Sequence, residues 1–302
     1  MKIYFLGHLT CQLNAENRHK PHRRSCERRI FITVPTIYRL HKYDLEMLKR
    51  LFLNVYSKLE SELYFQEATG YYCTDGSVIG KLGQDIEVEV YIETGLNNVW
   101  PIREHIDDYD KIELFTMMEF LFNNTSYPEN KYFHSWNNCG WHATKFDKVK
   151  GQTIYFEEIS KLLEGFEEPY RMTYEGIIFR EAPSGLEELI EEPIESGEPE
   201  NVDDRVQYAI TKFLKFDSTL PEKKDAIRTL SDVLEYYKQQ DIRLPKRDDS
   251  DLFRIINGFD IRHHNKEQQG EYSNEIWYEW MFYTFLASIH VLTKLHKEDA
   301  EL

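Results

Sequence analysis

The run Phe259-Asp260-Ile261-Arg262-His263-His264-Asn265 sets a guanidinium, two imidazoles and a carboxamide side by side. An arginine binds a phosphate with a planar fork of donors, and a histidine moves a proton near neutral pH. RNA can be cut without a metal if one group takes the 2'-hydroxyl proton, another protonates the leaving oxygen, and a cation stabilises the charge on phosphorus. Arg262 fits the electrostatic part, His263 or His264 the base, and Asn265 a contact to RNA. The same run has a plainer reading, as a cationic cluster that complements the carbonyl end of the helix before it.

The elements that must position this run read as helices. Apolar spacing predicts helices over 204–216, 221–239, 249–261 and 274–297, so that Arg262 to Asn265 fall between the third and fourth. Ser218 and Thr219 precede Pro221 in the first turn of the second, a favoured helix start. The fourth contains Trp277-Tyr278-Glu279-Trp280-Met281-Phe282-Tyr283 and is apolar on nearly every side, as expected of a helix in the bundle centre or at a dimer interface. His290 falls on the same face as Trp280 and Tyr283 and reads as a satisfied core histidine.

Upstream, Leu45, Leu48, Phe52, Val55, Leu59 and Leu63 recur at helical steps behind Asp44, a ready N-cap. Ile86 to Ile92 alternates apolar and polar side chains, which favours a half-buried strand and leaves a helix open as the alternative. Helices are expected over 112–122 and 154–163, a loop over 127–147, and a hairpin over 170–179 turning at Glu175-Gly176. Ile3 to Leu9 and Ile30 to Val34 could pair around a basic tip that carries Arg23, Arg24, Arg28 and Arg29, candidate RNA contacts in the one dense positive patch of the sequence. Between Leu186 and Asp204 many acids and no basic residue occur, interrupted by Pro193, Gly197 and Pro199. The expected organisation is therefore mainly α: an N-terminal α+β domain over 1–192, an acidic linker over 193–203, and a C-terminal helical bundle over 204–302.

A formal charge of −16 on 302 residues argues against indiscriminate coating of nucleic acid or anionic membrane, so any RNA site must be local. No apolar run reaches the length of a membrane span and no secretory signal opens the sequence, which points to the cytoplasm. Cys11, Cys26, Cys73 and Cys139 lack regular spacing and read as reduced thiols. Cys139-Gly140-Trp141-His142 has a ligand-like spacing, with His8 and Cys11 or His22 and Cys26 as conceivable second pairs. These pairs lie far apart and none is Cys-x-x-Cys, so this reading assigns no metal and no cofactor. Tyr132 to Asn138 is rich in aromatic and amide groups; it suits base stacking, and suits a well-packed loop better. Gly-rich phosphate loops, the Gly-x-Ser-x-Gly elbow and His-Glu-x-x-His are all absent from the sequence.

The segment from Phe259 to Asn265, followed by Trp277, Trp280, Phe282 and Leu286-Ala287-Ser288-Ile289-His290, resembles the helical domain named for higher eukaryotes and prokaryotes nucleotide binding (HEPN). Glu113 to Leu121 and Tyr170 to Ile178 resemble the N-terminal domain of abortive-infection proteins of the J type. The resemblance implies an antiphage-defence protein that acts as a metal-independent endoribonuclease, dimerises through its C-terminal bundle to complete the site, and works with a partner of a defence system. Family ribonucleases carry an arginine, a polar residue straight after it, and a histidine a few residues on. Arg262 and His263 match the first two, but Glu267, Gln268 and Gln269 stand where that histidine should fall. Either His263 or His264 takes its place, or the chain is a non-catalytic module that binds RNA, nucleotide or a partner.

Overall fold

The computed structural model describes residues 42–73, 75–259 and 273–300. The basic stretch with Arg23, Arg24, Arg28 and Arg29, the expected N-terminal strands, and Arg262 to Asn265 lie outside the described residues. Among the described residues the fold is mainly helical with three small two-stranded sheets.

Helix α1 (Leu45–Ser61) starts where Asp44 accepts the Met47 N–H at 3.0 Å, and its stripe of Leu48, Phe52, Val55 and Leu59 is buried. A short α2 (Gln66–Thr69) runs into the hairpin β1 (Gly70–Cys73) and β2 (Gly76–Ile79). The base of that hairpin closes against α2 only because Gly80 has no side chain. A Cβ there would stand 2.1 Å from the Ala68 carbonyl oxygen and 2.3 Å from the Gly70 nitrogen.

Ile86 to Ile92 is not a strand but most of helix α3 (Ile86–Thr94). Asp85 caps it by accepting the Val88 N–H at 3.2 Å, and Gly95 closes it at φ 74°. With both ends capped and only Val90 buried, the segment satisfies its own backbone groups, whereas a strand would need a neighbouring edge. The short α4 (Ile102–His105) precedes α5 (Lys111–Asn123), which opens with a reciprocal Asp110–Glu113 capping box and buries Leu114, Phe115, Met117, Met118, Leu121 and others in the first core.

The expected loop over 127–147 is a hairpin of β3 (Tyr127–His134) and β4 (Gly140–Asp147), with Tyr132 opposite His142 and Phe133 opposite Trp141. Helix α6 (Lys148–Gly165) begins six residues earlier than its apolar periodicity suggests, because Asp147 caps the Lys150 N–H at 3.0 Å. The third hairpin, β5 (Tyr170–Met172) and β6 (Ile178–Arg180), turns through Gly176 as expected.

A short α7 (Glu187–Glu191) and a π-helical turn at Pro199–Asp203 lead into α8 (Asp204–Leu214), α9 (Leu220–Gln239), α10 (Lys246–Gly258) and α11 (Asn274–Ala300). Thr219 and Glu222 form the capping box of α9. These four helices enclose a second core in which α11 buries Met281, Phe282, Phe285, Leu286 and Ile289, and Phe282 stacks on Phe213 at 4.0 Å. Within the acidic stretch, Val202 is buried in this core and Ile194 packs on it. None of the described helices is long and apolar enough to cross a membrane.

Candidate functional site

Two regions gather chemistry-bearing groups. The first is the end of the bundle where α10 hands over to α11. The ring of Phe259, after the end of α10, and that of Trp277, in the first turn of α11, lie 5.4 Å apart, centre to centre. Beside the first turns of α11 lies a cleft of about 510 Å³, lined among others by Arg180, Lys215, Lys223, Glu275, Glu279 and Tyr283. Lys215 pairs with Asp217 at 3.0 Å, whereas Arg180 and Lys223 have no ion pair among the described residues. His290 is buried, its Nε2 lies 3.0 Å from the Leu189 carbonyl, and it stands in the core as expected.

The second region is built by the first two hairpins. Side chains alternate along a strand, so in β3 and β4 Tyr132, His134 and His142 share one face and Phe133 and Trp141 share the other. Strand β1 lies over the first of these faces: the Tyr71 ring stacks on His142 at 4.0 Å, and the Tyr71 and Tyr132 hydroxyls are 3.4 Å apart. Gln66 on α2 accepts the Ala143 N–H at 2.7 Å and ties the same face to the first core. This packing delivers Cys73 from the end of β1, His134 from the end of β3, Cys139 from the connecting turn and His142 from β4. One donor atom from each lies within 4.8 Å of the other three.

The Cys73 Sγ is 3.1 Å from His134 Nδ1, and the Cys139 Sγ is 3.0 Å from His142 Nε2. Asp75 Oδ2 stands 3.7 Å from the other nitrogen of His134, the position from which a carboxylate orients an imidazole toward a metal. His142 Nδ1 is buried with no hydrogen-bond partner. The backbone N–H of Asp75, followed by the Cys139 and His134 side chains, holds the Cys73 thiol below its usual range. Burial, followed by the charge of His134, pushes His142 down, and a hydrogen bond to Tyr132 with some burial pushes Tyr71 up to about 12. Thiolate and neutral imidazole are the forms that bind metals.

The sequence assigned no metal here. It singled out Cys139 and His142 but sought their partners at His8 and Cys11 or His22 and Cys26, which lie outside the described residues. The structure supplies Cys73 and His134 instead. The available signal was the string His134, Cys139, His142 on what is now seen to be one hairpin; Cys73 lies far upstream in the chain and carried none. The aromatic loop is not well packed either: Trp136 is 71% exposed, Phe133 56% and Trp141 55%. No family model, curated protein or solved structure matches the chain.

Proposed function

We propose that this protein is an RNA-acting component of antiphage defence, a HEPN-like, metal-independent endoribonuclease in which Arg262 stabilises charge on phosphorus and His263 or His264 moves the proton. The observation that carries the reading is the Arg262-His263-His264-Asn265 run itself, set between two helices of an aromatic bundle. Two features of the bundle support it. The Phe259–Trp277 contact joins the end of α10 to the start of α11, the helices that flank the run in the sequence, and the cleft beside α11 offers Arg180 and Lys223 to a phosphodiester backbone. A homodimer through the C-terminal bundle would bring two such runs together, and a defence-system partner would regulate them.

The rival reading, a non-catalytic RNA-binding or regulatory module, is favoured by one observation: Glu267, Gln268 and Gln269 occupy the positions where a spaced histidine would stand. Incubation of the purified protein with total RNA and tRNA, without added divalent cation and beside Arg262→Ala, separates the two. Cuts ending in 2',3'-cyclic phosphate and lost in the variant are expected. Intact RNA with wild-type protein that retards RNA on a gel would replace the enzyme with the module.

A further inference from the structure

We infer that Cys73, His134, Cys139 and His142 bind one zinc ion, and that the ion clasps the β1–β2 hairpin onto the β3–β4 hairpin. The inference is independent of the ribonuclease reading, since none of its residues belongs to the bundle.

The donor set selects the ion. Two thiolates and two imidazoles are the ligands of tetrahedral structural zinc, with bonds of about 2.3 Å to sulfur and about 2.0 Å to nitrogen. In such a tetrahedron sulfur and nitrogen ligands are roughly 3.5 Å apart. The two short separations, 3.1 and 3.0 Å, lie close to that edge, and all four donor atoms fall within 4.8 Å. Oxygen-seeking magnesium or calcium would not choose this set. Four protein ligands leave no open position, so the site holds structure and does not activate water.

The hairpin itself shows why a clasp is needed. Every residue of β2 is exposed, Tyr72 of β1 is 77% exposed, and Val78 and Ile79 are about half exposed. An isolated two-stranded hairpin is marginal in water. Little apolar burial holds this one in place, and Cys73 at the end of β1 is its one buried hydrophobic side chain. A pair of S–H···N hydrogen bonds would be a weak replacement, because thiols are poor donors. A Cys73–Cys139 disulfide would join the hairpins but leave two imidazoles converged on the sulfurs for no purpose. A bound cation draws both histidines in through Nδ1 of His134 and Nε2 of His142, the atoms that already face sulfur. Asp75 then receives the outer N–H of His134.

The test uses the full chain without a histidine tag. Purified protein is assayed for metal by mass spectrometry, and the zinc is exchanged for cobalt. One zinc per chain and the visible bands of tetrahedral thiolate-bound cobalt are expected. Cys139→Ser and His134→Ala should weaken zinc binding, measured by competition with a chromophoric chelator, by more than the ~10–100-fold that loss of an outer partner costs. Asp75→Ala should weaken it by only ~10-fold. If the ligand variants fail to fold, the cobalt spectrum and chelator titration of the wild-type protein still decide. Folded wild-type protein that takes up neither zinc nor cobalt overturns the inference, as does an unreduced mass short of two hydrogens, which would show a disulfide. A Cys139→Ser protein that keeps its zinc at wild-type affinity overturns it too.

Discussion

Glu119 should make the protein lose stability between about pH 4.5 and pH 7, and Glu119→Gln should abolish that loss. The carboxyl sits on α5 where the two cores meet and accepts the Ile178 N–H at 2.6 Å. Burial raises its pKa from 4.5 to about 7, against the hydrogen bond from Ile178 and the charge of Lys215, and Asp217 adds to the rise. A folded-state value above the unfolded one means the native protein holds a proton that the unfolded chain has released. Stability from this group is therefore fully present below about pH 4.5 and is lost as pH climbs through 7. A gap of about 2.5 units at about 1.4 kcal/mol each sets a ceiling of about 3.5 kcal/mol. Glu119 is only partly buried, so solvent relaxation brings the expected figure to about 1–2 kcal/mol. Glutamine keeps an oxygen for Ile178 and has nothing to ionise. Urea unfolding of both proteins at several pH values from 4.5 to 8 measures the difference, and any titration they share, the metal ligands included, cancels. The variant should gain on the wild type by that amount across the interval, a rise in Tm of roughly 4 °C at pH 8. A difference that stays constant with pH would falsify the argument.

Further substitutions probe the two cores. Gly151→Ala on α6 would place a Cβ 2.5 Å from the Tyr127 nitrogen and 2.6 Å from the Ser126 backbone, so α6 must retreat from β3 at a cost of about 1–3 kcal/mol. Denaturant midpoints would show it, and an unchanged midpoint would mean the contact yields freely. Phe282→Ala removes a fully buried ring stacked on Phe213, and calorimetry should record a loss of about 3–5 kcal/mol. A loss under about 1 kcal/mol would show that the bundle core repacks.

Patterns that repeat along one helix were legible without a structure. The stripe of α1, its Asp44 cap, the four bundle helices and the core position of His290 all follow from spacing, because a helix satisfies its own backbone and needs only one apolar face. The hairpin over 170–179 was equally plain, since Gly176 supplies a positive φ at its turn. Sheet partners were not. Ile86 to Ile92 alternates like a strand yet forms a helix that pairs with no strand among the described residues, and Tyr127 to Asp147 pairs although its aromatic and amide-rich tip reads as a loop. The metal ligands were the least legible. Cys139 and His142 are neighbours in the chain, but which other donors meet them depends on β1 folding over one face of β3 and β4, a relation between distant segments that no local spacing encodes. Sequence alone determined α1, α5, the four bundle helices and the Arg262 to Asn265 run; tertiary packing decided which thiols and imidazoles share a site, because a four-donor site is fixed by convergence in space and not by order along the chain.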